Sequence, residues 1–413
     1  MAWFSKTSVM AVVNMCVPLP TWSRGGSQEE GVVLDHWLKR FNTGVCVTLS
    51  HHRQNCQKLF ADQNRRRDHA QTVRRIESGK TMSASIKDVA VHAGVSVGTV
   101  SNVLNHPDRV SASTVSRVQN SITSLGFVRN DAARQLRAGD SRTIALLVFD
   151  AANPFFADLA RGAEDAATAE GFSVILANTS ESVDRELSYL DLFKEQRVRG
   201  VLISPYGDVE ERLIALKAFG IPSVLVDRVS EKQEFSSVSV DDEAGGAIAT
   251  EHLLGLGRTH IGFVGGPLEI PQVADRLTGA RNAVDSSPGA RLDVFDTTAT
   301  TVLEGRRIGE RIVAMAPEDR PSALFAANDL VAIGLLQALV ATGKLRVPED
   351  IALVGYDDID FATSAIVPLT SIRQPSSLMG HTALALLNEH ANDPTTPPQR
   401  IVFQPELVIR ESA

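Results

Sequence analysis

Hydrophobic positions recur at two different spacings along this chain of 413 residues. Between residues 83 and 128, apolar side chains recur at steps of three and four, which is the spacing of one face of an α-helix. From residue 143 onward, short continuous apolar runs alternate with amphipathic stretches, which is typical of buried parallel strands connected by helices. The pattern therefore predicts an α-helical head followed by an α/β core.

The segment SIKDVAVHAGVSVGTVSNVLN, residues 85–105, is predicted to form two helices joined by a tight turn. Ser85 followed by Asp88 three positions later is typical of a capping box at the start of the first helix. Gly94 is predicted to end that helix, because glycine adopts positive φ without steric cost. Ser96 is predicted to cap the second helix by accepting from a backbone N–H.

Residues 94–98, GVSVG, also match G-x-S-x-G, the nucleophile elbow of many hydrolases. That elbow requires a strand before the serine, whereas the residues before Gly94 have helical spacing. We therefore interpret Ser96 as a helix cap and predict that the chain is not an enzyme. The GFVGG segment lacks the G-x-G-x-x-G spacing of a dinucleotide site, and no cofactor or metal is predicted.

The second helix has a polar face opposite its apolar face. If Val100 and Val103 point inward, the outward face carries Val97, Gly98, Ser101 and Asn102. Small and polar side chains suit a helix that lies in a DNA major groove, where base edges offer donors, acceptors and thymine methyl groups. A merely solvated helix face would have the same composition, so from this helix alone both interpretations stay open.

A third helix is predicted from Ser111, as its N-cap, to Gly126. The stretch RNDAARQLRAGDS that follows, residues 129–141, contains Asn130 as a candidate cap and Leu136 as its largest apolar side chain. A segment this short does not hold a helix in water without help. It is therefore predicted to be either a linker or a helix that forms only on a partner.

Eight apolar runs in the core predict strands. They are TIALLVFD, FSVILAN, VRGVLIS, IPSVLVD, HIGFVGG, LDVFDT, SALFAAN and IALVGYDD. Helices are predicted between them, at 157–169, 184–195, 243–256, 275–285 and 329–342. Because about 270 residues are many for one such sheet, we expect two similar lobes.

Polar residues follow several of these runs, and ligands of open α/β sheets bind beyond the carboxyl ends of the strands. The residues at these ends are Asp150, Asn153, Phe155, Phe156, Asn178, Ser204, Asp227, Arg228, Asn328, Asp357 and Asp358, with Arg276 at the start of a helix. Carboxylates, amides and guanidinium groups with a Phe pair suit a polyhydroxylated ligand. Any single Asp or Asn there is more readily explained as a helix N-cap than as a ligand contact.

Charge and cysteine are unevenly distributed. Residues 1–82 carry 12 Lys and Arg against 6 Asp and Glu, whereas residues 141–413 carry 23 against 39. All three cysteines, Cys16, Cys46 and Cys56, lie before residue 57 without the spacing of a zinc site, which indicates a reducing compartment. No apolar run approaches the roughly 18 residues of a membrane span. We therefore expect a cytoplasmic protein, associated with the nucleoid, with no membrane partner.

Residues 85–139, from SIKDVAVHAGVSVGTVSNVLN through VSASTVSRVQNSITSLGFVRNDAARQLRAG, resemble the DNA-binding head and hinge of the lactose-repressor (LacI/GalR) family. The resemblance implies DNA contacts from Ser85, Ser96, Val97, Gly98, Thr99, Ser101, Asn102, Asn105, Arg109, Asn130, Ala133 and Leu136. Of these, Val97, Gly98 and Asn102 would face bases, and Leu136 of each subunit would wedge into the minor groove. Many members carry arginine where Asn102 stands, so this chain is expected to favour adenine there.

The core resembles the same family and the periplasmic sugar-binding proteins that share its fold. The phrases that carry the resemblance are NPFFADLARGAEDAA, EQRVRGVLISP, IPSVLVDR, HLLGLGRTHIGFVGGP, ALFAANDLVAIG and VPEDIALVGYDDIDFA. The resemblance implies effector contacts from Phe155, Phe156, Asp227, Arg228, Arg276, Asn328 and Asp357. Several members place an aromatic residue near Thr300, so any stacking on the effector is expected from the Phe pair.

These observations predict four segments. They are an N-terminal extension (1–82), a helix-turn-helix domain (83–128), a hinge (129–141) and a two-lobed core (142–413) of the type I periplasmic-binding-protein-like fold. Lobe 1 is expected at about 142–240 and 375–403, and lobe 2 at about 241–374 and 404–413. The extension is interpreted either as disordered or as sequence upstream of a true start at Met82.

The leading hypothesis is a sequence-specific transcriptional repressor that binds a palindromic operator as a homodimer. A small effector, sugar-like or nucleoside-like, would bind between the two lobes of the core. The alternative is a solute-binding protein of the same fold with an export signal in residues 1–25, which leaves the helical head unexplained. An enzyme is the third alternative, and only GVSVG supports it.

Overall fold

The computed structural model describes residues 84–127, 141–230, 233–341, 343 and 345–413. These residues form two compact units. We call the unit before residue 128 the head and the unit after residue 140 the core. Within the described parts of the chain, no helix combines the length and the apolar character needed to cross a membrane.

The head is helical throughout. Its elements are α1 (Ile86–Ala93), α2 (Val97–Asn105), a 3-10 turn (Pro107–Arg109) and α3 (Ala112–Leu125). Val89, Val100 and Val118 are fully buried where the three helices meet. Gly94 ends α1 with φ of 61°, in the left-handed region that glycine adopts most easily. The helical spacing of apolar residues therefore predicted these elements correctly.

Two of the three predicted N-cap serines in the head, Ser85 and Ser96, make their capping hydrogen bonds. The Ser85 hydroxyl accepts from the backbone N–H of Asp88 at 3.3 Å, and the Asp88 carboxylate accepts from the backbone N–H of Ser85 at 2.8 Å. This reciprocal pair is the predicted capping box. Ser111 holds the N-cap position of α3, but its hydroxyl donates to the Thr114 hydroxyl at 2.9 Å and makes no capping bond to the backbone.

The core contains twelve described strands in two six-stranded sheets, in the orders β11-β5-β4-β3-β1-β2 and β12-β10-β9-β8-β6-β7. The strands of the first sheet, sheet A, are β1 (Thr143–Val148), β2 (Ser173–Asn178), β3 (Gly200–Ile203), β4 (Ser223–Val226), β5 (Ser236–Val240) and β11 (Arg400–Phe403). Those of sheet B are β6 (His260–Gly265), β7 (Arg291–Asp296), β8 (Ala323–Ala326), β9 (Ala352–Asp357), β10 (Thr370–Arg373) and β12 (Glu406–Val408). Among these described strands, only β12 pairs antiparallel, with β10.

Helices connect most of the strands, as parallel pairing requires. They are α4 (Pro154–Ala169), α5 (Val183–Gln196), α6 (Glu210–Ala218), α7 (Asp242–Gly255), α8 (Pro271–Asp285), α9 (Val302–Val313), α10 (Asp329–Ala341), α11 (Asp360–Ser364) and α12 (Ser376–Asn392). Continuous apolar strands such as β1, β3 and β4 are buried on both faces, which explains their composition. The prediction of a parallel α/β core is confirmed.

Helix α4 begins three residues and helix α8 four residues earlier than the sequence predicted. We expected a helix over 275–285 that starts at Asp275, whereas α8 starts at Pro271. Proline suits this first helical position because its missing N–H has no helical partner there and its φ is already set. As a result, Gln272 and Arg276 both lie on the helix and are separated by about one turn.

Helices α7 and α8 approach each other closely through two glycines. A Cβ added to Gly246 in α7 would lie 2.0 Å from the backbone oxygen of Arg276, and one added to Gly279 in α8 would lie 1.9 Å from that of Glu243. No larger residue fits at either position without separating the helices. This close contact brings α8 against the start of α7, where Asp242 lies.

Candidate functional site

The helix-turn-helix of the head presents one face of α2 to solvent. Val100 and Val103 are buried, whereas Val97 is 39% exposed and Gly98 and Asn102 are exposed. Ser101 lies at the edge of this face and is half-buried. The structure therefore places the four residues predicted for the outward face on the side of α2 away from the head core.

Ser96 is the N-cap of α2. Its hydroxyl accepts from the backbone N–H of Thr99 at 3.0 Å and lies 2.9 Å from the Thr99 hydroxyl. The residues before it form α1 and the turn at Gly94, so the strand that a nucleophile elbow requires is replaced by a helix. The local structure therefore explains GVSVG as a helix–turn–helix junction.

Other head residues predicted to contact DNA lie at the end of α2, in the 3-10 turn and at the start of α1. Asn105 donates its side-chain amide to the backbone oxygen of Ser101 at 2.9 Å and to its hydroxyl at 3.2 Å. Arg109 is exposed in the 3-10 turn, and Ser85 is occupied by the capping box. The predicted contacts Asn130, Ala133 and Leu136 lie outside the described residues.

The core contains a cleft at the carboxyl ends of strands from both sheets, and the space within it, including the part open to solvent, is about 390 Å³. Its lining residues are Phe149, Asp150, Asn153, Phe155, Phe156, Asp227, Ile270, Gln272, Val273, Arg276, Thr300, Asn328, Asp357 and Gln374. Parallel strands end at one edge of a sheet, which is why residues far apart in sequence meet here. The cleft brings together six of the seven predicted effector contacts.

Arg276 is the charged centre of the cleft. Its Nε donates to Asp242 Oδ1 at 2.8 Å, its Nη1 donates to the backbone oxygen of Ala327 at 2.7 Å, and its guanidinium lies 3.6 Å from the centroid of the Tyr356 ring. Burial lowers the pKa of Arg276, but Asp242 and the other surrounding acids raise it by more than burial lowers it. The pKa of Arg276 therefore lies above its usual range. This side chain is therefore a fixed cation in the cleft.

Asp357 ends β9 with φ of 104°, outside the conformations that non-glycine residues usually adopt. Its Oδ2 accepts from Asn153 at 3.0 Å, its Oδ1 accepts from Gln374 at 2.7 Å, and Arg276 lies 3.9 Å away. Burial raises the pKa of this carboxyl, while Arg276 and the amide donors act in the opposite direction. A strained backbone held by several side chains is typical of a functional position.

Asp227 follows β4 and faces the cleft from the other sheet. Its Oδ2 accepts from the Gln272 amide at 2.8 Å, and the same amide also donates to its backbone oxygen. Burial and the Asp242 carboxylate raise the pKa of Asp227 well above its usual range. Asp227 and Asp357 thus form two buried carboxyls on opposite sheets, with Arg276 near both.

Aromatic and amide groups complete the lining. The Phe155 and Phe156 rings meet edge to face with centroids 5.0 Å apart, and Phe156 meets Phe149 in the same way at 4.9 Å. Asn328 donates to the backbone oxygen of Thr300 at 3.2 Å and accepts from a backbone N–H in α10. Asn328 is therefore both a helix cap and a lining residue, so its two interpretations are compatible.

Arg228 is the predicted effector contact that does not line the cleft. Arg228 is half-buried, and its positive charge acts to lower the pKa of Glu186. Burial of Glu186 has the larger effect, so the pKa of Glu186 is raised. Sequence reasoning also passed over Gln272 and Gln374 as contacts. Gln272 preceded the predicted start of its helix, and Gln374 follows β10, a strand that no apolar run had indicated.

Comparison with known proteins identifies both units. The family model for bacterial regulatory proteins of the lacI family matches residues 85–130, and the model for the periplasmic binding protein-like domain matches residues 250–413. The HTH-type transcriptional repressor PurR of Aliivibrio fischeri is 33% identical over 339 residues, which cover 80% of this chain and 98% of that protein.

Solved structures agree with these matches. A lac repressor dimer bound to operator and the anti-inducer ONPF is 28% identical with a TM-score of 0.67, covering 80% of this chain and 98% of that one. A LacI family transcriptional regulator from Enterococcus faecium with bound ribose is 30% identical with a TM-score of 0.60, covering 66% of this chain and 98% of that one.

The relatives are transcriptional regulators and not enzymes, which agrees with the role of Ser96 as a helix cap. The helical head and the two-sheet core match the two domains of these proteins along nearly their whole length. This chain therefore belongs to the lacI family of bacterial regulatory proteins, which are DNA-binding regulators of transcription.

Proposed function

We propose that this regulator represses transcription as a homodimer on a palindromic operator, under the control of an effector bound in the core cleft. The observation that carries the proposal is the cleft itself, where a buried arginine lies among carboxyls from both sheets. A ligand bound in such a site contacts both sheets, so its binding can change the orientation of one sheet relative to the other.

The head would read DNA with α2 in the major groove. Val97, Gly98 and Asn102 would face the bases, with Asn102 bidentate to adenine. Ser85, Ser96, Thr99, Ser101, Asn105 and Arg109 would contact phosphates or hold α2 in position. A Cβ at Gly98 would meet only the Ser96 hydroxyl, at 3.6 Å, so the glycine is not required by packing within the head and instead permits close approach to the groove.

The hinge would complete DNA binding. We propose that residues 129–141 connect the head to the core and that Asn130, Ala133 and Leu136 contact the operator centre. Leu136 of each subunit would enter the minor groove and unstack a base step, at a cost of a few kcal/mol that is offset by contacts with the bent duplex. The core would divide into the two lobes built on sheets A and B.

The edges of the two sheets support a dimer. Strands β2 and β7 are the terminal strands of sheets A and B, and both carry exposed apolar side chains. Ile175 and Leu176 in β2 are about half-exposed, and Val294 in β7 is also exposed. Apolar side chains on an open edge strand favour association with another chain. A twofold dimer would present two heads to the two halves of a palindrome.

The effector is proposed to be a sugar-like or nucleoside-like molecule. Paired carboxyls and amides accept from and donate to hydroxyls, and the Phe155 and Phe156 rings offer a face for the apolar side of a sugar ring. The ribose bound to the Enterococcus faecium relative supports a sugar. Of the predicted contacts, Arg276 and Asp357 would bind the effector most directly, together with Asp227 and Asn328. Arg228 is also proposed to influence effector binding, although its side chain does not line the cleft.

The proposal is tested by selecting DNA from a random pool with the purified protein and then titrating sugars and nucleosides into the complex. We expect a palindromic consensus and a change in operator affinity with at least one ligand. An allosteric coupling of about 1–3 kcal/mol corresponds to a change of roughly 5- to 150-fold. A chain that prefers no sequence, with or without ligand, would contradict the proposal.

A variant of the cleft separates DNA binding from ligand response. Asp357→Asn should keep operator affinity and lose the response, because an amide cannot accept on both sides from Asn153 and Gln374. The matched control is Asp350→Asn, at an exposed carboxylate paired with Arg346 outside the cleft. If Asp357→Asn responds as the parent protein does, Asp357 is not an effector contact.

A further inference from the structure

Gln272 occupies the cleft although nothing in the sequence pattern singles it out. It lies on α8 one turn before Arg276, so both side chains project from the same face of the helix. Gln272 is only 6% exposed, which is unusual for a glutamine unless its amide is hydrogen-bonded. Its position therefore calls for a polar partner inside the cleft.

That partner lies on the other sheet. Gln272 belongs to the helix that follows β6 of sheet B, whereas Asp227 follows β4 of sheet A. The Gln272 amide nitrogen donates to Asp227 Oδ2 at 2.8 Å and also to the Asp227 backbone oxygen. One side-chain amide thus uses its two N–H groups on one residue across the cleft.

The two carboxyls of the cleft differ in how well they are satisfied. Asp357 accepts on both oxygens, from Asn153 and from Gln374. Asp227 Oδ1 is buried and has no hydrogen-bond partner among the described residues. A buried carboxyl oxygen without a donor is costly, so Asp227 Oδ1 leaves an unmet demand for a donor in the cleft.

We infer that Gln272 is a specificity-determining residue that stands in for a ligand donor at Asp227. Its amide holds the two sheets together across the cleft, and a ligand group that donates to Asp227 Oδ2 must displace it. The Gln272 side chain also takes up space beside Asp227, so it disfavours ligands with an additional substituent on that side. The role of Gln272 in ligand selectivity rests on the proposed sugar effector. The hydrogen bond by which Gln272 joins the two sheets does not.

The first experiment uses the full-length protein without ligand and measures hydrogen–deuterium exchange by mass spectrometry. Gln272→Ala should raise exchange on both walls of the cleft, including peptides over 153–157 on the sheet A side. One hydrogen bond lost corresponds to an increase of about 3- to 10-fold in the open population. Thr278→Ala is the matched control, because this exposed residue of α8 bonds only within its own helix. Faster exchange confined to 270–276 would overturn the inference.

The second experiment measures sugar affinity by calorimetry with D-ribose and its hexose homologue D-allose. Gln272→Ala should improve D-allose binding relative to D-ribose by about 10-fold, the gain expected when one or two methylene-sized groups become accommodated. Gln272→Met keeps the volume but removes the donor, so it should loosen the empty cleft without improving the hexose. Equal losses for both sugars in Gln272→Ala would show that Gln272 only supports the fold.

The two experiments separate this inference from the proposed function. If the parent protein binds no sugar but Gln272→Ala still loosens both walls, the closure by Gln272 stands and the sugar effector is refuted. If the parent protein binds sugar and Gln272→Ala changes neither exchange nor selectivity, the proposed function stands and the role of Gln272 is refuted.

Discussion

In the head, the residues proposed to face DNA bases lie within one stretch of α2, whereas the cleft in the core takes its lining from residues between 149 and 374. The exposed face of α2 follows from helical periodicity once Val100 and Val103 are buried. The cleft follows from the order of strands in two sheets and from helices packed between distant segments.

This difference has an energetic counterpart. On α2, the residues that stabilise the head and the residues that face solvent occupy opposite sides, so one group can change without the other. In the cleft, Arg276 bonds to Asp242 and to the backbone of Ala327 and also lies over Tyr356. The same side chain therefore holds the core together and is proposed to bind the effector, so stability and function should change together there.

The largest effect is expected from Arg276→Leu. Removing one member of a buried ion pair leaves Asp242 without its cation, which costs about 3–5 kcal/mol of unfolding free energy. Urea unfolding of the ligand-free protein measures the loss. Arg306→Leu is the control, because Arg306 is 58% exposed and pairs with Glu310 on one helix surface, where about 0.5 kcal/mol is at stake. Equal effects at the two arginines would remove the energetic distinction.

A separation of function from stability is expected from Asn102→Ala. The exposed amide makes no contribution to the head core, so the melting temperature should not change. Discrimination between operators with and without adenine at the contacted position should fall by about 1–3 kcal/mol. Competition binding with matched duplexes measures it, and Thr123→Ala on the exposed side of α3 is the control. A uniform loss for all sequences would argue against base contact.

A smaller effect is expected from Ser85→Ala at the start of α1. The variant loses the capping bond to the Asp88 N–H, which typically stabilises by about 1 kcal/mol. Thermal unfolding of the head should show this loss, while Ser124→Ala, at an exposed position in α3, should not. The Ser85 hydrogen bonds lower the pKa of Asp88, so the contribution of the cap is present above the ordinary carboxyl pKa and is lost as the pH falls through the lowered one.

The smallest effect is a pH dependence in Asp227→Asn. Burial and Asp242 raise the pKa of Asp227, so the folded state binds its proton more tightly than the unfolded state. The resulting penalty is absent below the ordinary carboxyl pKa and grows as the pH rises toward the raised one. Asp227→Asn removes this penalty, so its melting temperature relative to the parent should be higher at pH 8 than at pH 5. A difference that does not change with pH would show that the pKa of Asp227 is not raised in the folded state.

Some strands could not be predicted from apolar runs. All eight predicted runs form strands, but β5 was not among them, because its sequence SSVSV alternates serine with valine although every residue is buried. The Ser236 hydroxyl there pairs with His390 of α12 at 2.7 Å and accepts from the Gln399 N–H. The buried hydroxyls of Ser237 and Ser239 have no hydrogen-bond partner among the described residues, so serines can be buried in this strand with or without a partner, and they leave no apolar run in the sequence.

The head shows the same limit on a smaller scale. Helical spacing predicted the burial of Val89, Val100 and Val118, but Ser121 is buried as well. Its hydroxyl lies 3.0 Å from His92 Nδ1 of α1 and donates to the backbone oxygen of Arg117. This pairing between α1 and α3 depends on how the helices pack, so periodicity alone does not reveal it.

The sequence by itself determined the helices of the head, the caps at Ser85, Gly94 and Ser96, the exposed face of α2 and the eight apolar strands of the core, because these depend on neighbours within a few residues. Tertiary structure alone decided that Asp357 bonds to Asn153 and Gln374, that Gln272 reaches Asp227, and that Arg228 stands apart from the cleft. Such contacts depend on strand order and helix start positions, and the energies that select them arise only when distant segments are packed together.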